Sequence, residues 1–153
     1  MSREHVKLVT GLAGYSAGDM PQENVEVMRA VYERSSRDPY AVLDMLAPDA
    51  EWHAEAGGPL EAIYIGPEEA RRWIDQMLDV FEAHRVEPEE FVAVGDHVVV
   101  PVRVWAKARG TGLEAEVQIV HAWRLRGGRI VWTRSYPSKA EALEAIASTT
   151  RKP

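Results

Sequence analysis

From Val86 onward apolar and polar residues alternate, and the alternation is cut by Gly95-Asp96, Gly110-Thr111-Gly112 and Gly127-Gly128. A period of two puts successive side chains on opposite faces of a strand, and glycine-containing pairs between such runs make hairpin turns. The spacing therefore predicts four strands, at about 86–94, 97–108, 113–126 and 129–136, joined as an antiparallel meander. In the second strand, Val98 to Trp105, odd and even positions are both largely apolar, so both faces should be covered. Helices suit one face, and a second subunit is the candidate cover for the other. In the third strand Val117, Ile119, His121 and Trp123 share a face that is apolar but for one imidazole. That face should floor a pocket in which His121 is the deepest polar group.

The first half of the chain has a helical period instead. Pro21 suits the first turn of a helix in which Val25, Met28 and Tyr32 form an apolar stripe, with Val27 and Val31 beside it. Asp38-Pro39 predicts a cap and a short second helix that buries Val42, Leu43 and Leu46 and stops near Pro48. Residues 50–55 form a short strand, broken by Gly57-Gly58-Pro59. Pro67-Glu68-Glu69 opens a third helix whose Ala70, Trp73, Ile74, Met77, Leu78 and Phe81 make a broad apolar face, suited to lie on a sheet. Ser138-Lys-Ala-Glu141 has the form of a capping box and starts a last helix with Ala142, Leu143 and Ile146 inward. Helices segregated from an antiparallel sheet make the class α+β. A curved sheet wrapped on a long helix would leave a conical cavity open at one end.

Residues 1–20 differ from the rest, being rich in glycine, alanine and serine around a short apolar patch at Val6-Lys-Leu-Val9. They are expected to form an extension, with at most one short strand, attached as a tail; a flap over the pocket or a partner is the alternative. Residues 21–147 form one domain and 148–153 a frayed tail. A chain of 153 residues can bury a core without staples. Its net charge of −6 argues against nucleic acid or an anionic membrane as partner. The absence of cysteine excludes disulfides, thiolate metal sites and a cysteine nucleophile. With no long apolar run and no signal-peptide pattern, a cytoplasmic location is expected.

Several motifs carry a family resemblance. Leu46-Ala-Pro-Asp-Ala-Glu-Trp-His53, Tyr64-Ile-Gly-Pro-Glu-Glu-Ala70, Val120-His-Ala-Trp-Arg-Leu-Arg-Gly-Gly-Arg-Ile-Val131 and Ser135-Tyr-Pro-Ser-Lys-Ala-Glu-Ala-Leu143 resemble segments of SnoaL-like domains. These belong to the superfamily of nuclear transport factor 2, ketosteroid isomerase and limonene epoxide hydrolase. The resemblance covers about 22–147 and implies a cone-shaped α+β barrel of the cystatin-like, nuclear transport factor 2-like kind. It does not imply one reaction, because this fold hosts isomerases, cyclases, hydrolases and binders. The carboxylate base of ketosteroid isomerases falls at Ala54, their first-helix tyrosine near Ala30, a supporting tyrosine near Ile74 and their protonated aspartate at His121. The Asp-Arg-Asp set of limonene epoxide hydrolases falls near Val102, Val104 and Ser135, so it is absent.

The alternation and the resemblance together imply a mostly apolar pocket. Its lining would be Trp52, Ala54, Ile74, Val102, Val104, Val117, Ile119, Trp123 and Ser135, with His121 as the catalytic candidate. An imidazole there can donate to a carbonyl or, if neutral, accept a proton. The strand at 50–55 has two possible registers. Either Trp52 faces the pocket and Glu51, His53 and Glu55 meet solvent, or those three enter it and His53 with Glu55 form an acid/base pair. His53, Glu55 and His121 are also suitable metal ligands, but they lack metal-motif spacing, and neither metal nor cofactor is expected. Trp105 and Trp132, with Arg103, Glu116, Gln118 and Arg134, are placed on the outer sheet face, where a homodimer would form. Arg134 and Tyr136 could instead rim the pocket mouth. The expected ligand is a small hydrophobic molecule, polycyclic or terpenoid-like, with a carbonyl or hydroxyl.

Overall fold

The computed structural model describes residues 5–9, 20–54 and 62–151, with the backbone alone at 5–9, 150 and 151. In chain order these form β1 (His5–Val9), α1 (Pro21–Ser35), a 3-10 turn (Ala41–Met45), β2 (Leu46–Ala54), β3 (Ala62–Ile65), α2 (Gly66–Val80), β4 (Phe81–Pro88), β5 (Glu90–Val94), β6 (His97–Ala108), β7 (Glu114–Arg126), β8 (Arg129–Tyr136) and α3 (Lys139–Arg151). The strands make one curved sheet in the order β1-β5-β6-β7-β8-β2-β3, with β4 also paired to β6.

The meander from β5 to β8 follows the alternation. Gly127 and Gly128 have φ of 58° and 77°, the pair of left-handed residues that a two-residue hairpin turn with the native twist requires. The expected strand at 86–94 is two strands. β4 pairs with the far half of β6 (Val86 opposite Val104), and β5 with the near half (Val92 opposite Val99). The break falls at Glu89, whose N–H donates to Pro101 O at 2.9 Å. Proline at 88 and at 101 removes donors at this junction, so the ladder changes course there. β4 also starts earlier than the alternation suggests, because α2 ends at Val80 and Phe81 already belongs to the strand.

The sheet is mixed, which corrects the purely antiparallel expectation. β2 runs parallel to β8, and β1 runs parallel to β5. β1 is the short strand expected within the N-terminal extension, paired at the sheet edge with β5. β2 begins at Leu46, where the sequence pattern continues a helix; that helix is a single 3-10 turn, before which Asp38 Oδ1 accepts the Tyr40 N–H at 3.0 Å. β2 carries an irregularity between Leu46 and Glu51 that accommodates Pro48. Gly66, at the start of α2, has φ +80°, and a Cβ there would lie 2.6 Å from Pro48 O. Only glycine allows this approach of α2 to β2.

Two apolar layers result. On the inner face α1 and α2 pack on the sheet around Val25, Met28, Phe91, Val98, Val100, Val102, Trp123, Leu125 and Ile130, all buried. On the outer face Ala142 and Ile146 of α3 cover Val92, Val94, Val99, Val120 and Ala122. The cover sought for the outer side of β6 thus comes in part from the same chain. Ser138 Oγ accepts the Glu141 N–H at 3.2 Å and donates to Glu141 Oε2 at 3.0 Å, the capping box that starts α3. Lys139 Nζ, 2.6 Å from Glu90 Oε1, ties the same end to β5.

Candidate functional site

The inner face of β7 is graded in burial. Trp123 is 5% exposed, His121 and Ile119 are half-buried, and Val117 is 50% exposed. Cross-strand pairing puts Val100 and Ser135 beside His121, Val102 beside Ile119, and Val104 beside Val117. Val102 is fully buried while Val104 is not. Burial along this strip therefore falls steadily from Trp123 to Val117. Trp52 enters from β2, 5.9 Å from the Trp123 ring and 5.4 Å from Trp73 of α2. Ile74 and Ala54 are buried.

The position of Trp52 decides the register of β2. Glu51 and His53 lie on the other face, where Glu51 Oε1 is 3.0 Å from His53 Nε2 and the His53 ring sits 6.0 Å from Trp132. Glu55 lies outside the described residues. His53 and His121 stand on opposite faces of the sheet and cannot share a metal ion. Among the described residues no cluster of histidines and carboxylates suits a metal.

The polar centre of the inner face is a chain of three side chains. The Trp123 indole Nε1 donates to the Tyr32 hydroxyl at 2.9 Å, and that hydroxyl lies 2.7 Å from His121 Nδ1. An indole can only donate, so the tyrosine oxygen accepts there and keeps its own proton to give. The acceptor available to it among the described residues is Nδ1 of His121. A buried hydroxyl without an acceptor is costly, so Nδ1 carries the lone pair and the proton of neutral His121 sits on Nε2. The rings reinforce this order: Tyr32 stacks on His121 at 6.0 Å and 14°, and Trp123 stands edge-on to both.

Burial sets the protonation states. It pushes the Tyr32 phenol above its ordinary range, against a smaller opposing effect of the Trp123 N–H. It pushes His121 down to about 4, because an imidazolium in this setting loses its hydration and no carboxylate among the described residues compensates. At neutral pH the relay is uncharged and ends in a His121 Nε2–H. That group is a hydrogen-bond donor and a poor base.

Helical spacing assigns Tyr32 to the core stripe of α1 and does not reveal that its hydroxyl belongs to the site. The signal available is its phenol, which needs a partner wherever it is buried. Ala30, where the resemblance puts the first-helix tyrosine, is solvent-exposed. The hydroxyl that α1 contributes comes from two residues further on.

On the outer face Arg134 and Tyr136 stack together, the guanidinium 5.6 Å from the ring, away from the face that carries His121. Arg103 pairs within the chain with Glu116 at 3.3 Å and Glu89 at 3.6 Å. Arg85 lies over Trp105 at 4.8 Å, and the Trp105 indole donates to Glu114 at 2.9 Å.

The family model for a SnoaL-like domain matches residues 26–133. The chain belongs to the SnoaL-like domain family. No curated protein matches it. Among solved structures, an NTF2-like protein of unknown function from Burkholderia pseudomallei is 29% identical, with a TM-score of 0.68 over 80% of this chain and 95% of that one. TerC, co-crystallised with polyporic acid, is 25% identical, with a TM-score of 0.65 over 82% and 98%. The epoxide hydrolase/cyclase-like enzyme SalBIII, described in pyran ring formation in polyether salinomycin, is 16% identical with a TM-score of 0.68 over 80% and 95%, and supports the fold. No helix among the described residues is long and apolar enough to cross a membrane.

Proposed function

We propose that this SnoaL-like chain binds a small hydrophobic, polycyclic or terpenoid-like molecule in the cone, with its carbonyl or hydroxyl oxygen on the Nε2–H of His121. The observation that carries the reading is the Trp123–Tyr32–His121 relay. Three polar side chains in an apolar core are expensive unless they serve one another, and here they leave a single donor directed by its tautomer. Val104, Ile119 and Val117 would supply the apolar lining toward the mouth, and Trp52 and Trp123 would shape the closed end. TerC, crystallised with polyporic acid, supports the view that this fold accepts organic molecules of that size.

If the site turns a substrate over, the chemistry is acid/base without a cofactor: isomerisation, cyclisation or dehydration, with His121 polarising a carbonyl or stabilising an enolate as a neutral imidazole. A second reading, binding without turnover, is favoured by one specific observation. Among the described residues no carboxylate meets His121, so a base for proton abstraction is missing there.

A thermal-shift screen with steroids, terpenoids and aromatic polyketides tests the proposal on wild type beside His121→Phe. A ligand at tenfold over Kd adds about 1.4 kcal/mol of stability. Stabilisation of wild type that is lost in His121→Phe supports the reading. Equal stabilisation of both proteins places the polar contact elsewhere and refutes it. A ligand that passes is then incubated in D₂O: deuterium incorporation next to its carbonyl separates the catalytic reading from the binding one.

A further inference from the structure

The inner face beside His121 carries a hydroxyl that the relay does not use. β7 and β8 are antiparallel, and His121 stands directly opposite Ser135. Residues opposite one another in such a pair project to the same face, with Cβ atoms about 4.5–5.5 Å apart. The strands on either side extend the row. β6 places Val100 opposite His121. β2 runs in register with β8 as far as His53 opposite Arg134, and the residue that follows on the inner side is Ala54. Val100 and Ala54 are buried, while His121 and Ser135 between them are half-buried. The row therefore has apolar ends and two polar groups side by side in its middle.

The polar side chains near this row differ in whether the protein answers them. Thr133, opposite Trp123, donates through Oγ1 to Ala122 O at 2.9 Å. Trp123 Nε1 and the Tyr32 hydroxyl bond one another, and that hydroxyl meets His121 Nδ1. The Ser135 hydroxyl has no hydrogen-bond partner among the described residues, and neither has Nε2 of His121. The two ring nitrogens of an imidazole point apart, so with Nδ1 on Tyr32 the Nε2–H is turned away from that hydroxyl. In the neutral tautomer Nε2 only donates, whereas a serine hydroxyl both donates and accepts.

This pair selects among ligands. A ketone alone answers Nε2–H and covers the serine hydroxyl with apolar surface, which leaves that hydroxyl without a bond. An anion gives up its hydration in a row that supplies no cation. A molecule with a hydroxyl on the carbon next to its carbonyl answers both groups, accepting from Nε2–H and donating to Oγ. We propose that Ser135 is the second polar contact of the inner site and that its ligand is a hydrophobic α-hydroxy ketone, held by its carbonyl on His121 and its hydroxyl on Ser135. The assignment rests on the reading of His121 as a donor.

The probes are 2-hydroxy-1-tetralone, 1-tetralone and 4-hydroxy-1-tetralone. They share one bicyclic ketone and carry a hydroxyl beside the carbonyl, no hydroxyl, or a hydroxyl across the ring. Kd values for the full chain come from NMR titrations. The 2-hydroxy compound is expected to bind about fivefold more tightly than the other two, the worth of one hydrogen bond. Ser135→Ala should abolish that preference by weakening the 2-hydroxy compound alone. Unchanged binding of 1-tetralone shows that the variant is folded. His121→Phe should weaken all three. A wild type that binds the three alike, or a preference that survives Ser135→Ala, overturns the role of Ser135 while the loss of 1-tetralone in His121→Phe still upholds the donor. Binding of all three that is unchanged in His121→Phe, or no binding of any, refutes the donor reading and this proposal with it.

Discussion

The depressed pKa of His121 has a consequence for stability that can be worked out with its sign. Unfolded, the imidazole titrates near 6.5; folded, burial holds it at about 4. Between those values the unfolded chain binds a proton that the folded chain refuses. Stability therefore falls as pH is lowered through this window and levels off below the folded pKa. Each tenfold difference in proton affinity corresponds to about 1.4 kcal/mol, so the full difference is about 3 kcal/mol, with about 2 kcal/mol lost by pH 5. His121 is half-buried, so solvent screening makes these upper values. The perturbation is His121→Phe, which removes the titrating group. It also leaves the Tyr32 hydroxyl without its acceptor, at a cost of about 1–3 kcal/mol that does not depend on pH. Urea denaturation followed by tryptophan fluorescence, from pH 7.5 to pH 4, separates the two effects. The variant should be the less stable protein at pH 7.5, and its deficit should shrink or reverse toward pH 4 by about 2–3 kcal/mol. The double variant Tyr32→Phe/His121→Phe should show the same slope without the unpaired hydroxyl. A difference between wild type and His121→Phe that stays constant over the whole range would refute the buried neutral imidazole, and with it the donor role of Nε2.

Tyr32→Phe should cost about 1–3 kcal/mol, because the Trp123 N–H and His121 Nδ1 both lose a buried partner; it should also release the tautomer, so that the ¹⁵N shifts of His121 move toward a mixture, and unchanged shifts would count against the relay. Gly66→Ala forces a Cβ to 2.6 Å from Pro48 O at φ +80°, so a loss of at least about 1–3 kcal/mol in chemical denaturation is expected; a near-neutral effect would mean that α2 and β2 part more easily than their contact suggests.

The elements that can be read from the chain are those governed by local period and turn chemistry. β6, β7 and β8 fall within a residue of the spans set by alternation and the glycine pairs, and the capping box at Ser138 starts α3 as its pattern requires. The face of α2 from Ala70 to Leu78 packs inward as its spacing predicts. Elements whose identity depends on a distant partner are less legible. Leu46 to Asp49 looks like the end of a helix, yet pairing with β8 extends it. Phe81 continues the apolar face of α2, yet β6 captures it as a strand. The split of β4 from β5 is written in Pro88 and Pro101, but it becomes visible only when the two prolines are seen to face one junction.

The candidate site divides in the same way. Alternation by itself determined that Val117, Ile119, His121 and Trp123 share one face, because side chains on a strand cannot do otherwise. It could not say which face Trp52 takes, since either register of β2 satisfies a short strand; the aromatic contacts with Trp73 and Trp123 decide that. Nor could it join Tyr32 to His121 across 89 positions of sequence. Hydrophobic spacing records that a residue is buried and is silent on what its polar atom will meet. The relay and the neutral state of His121 are properties of packing. They arise because desolvation and hydrogen bonding depend on which groups the folded chain brings within about 3 Å of one another.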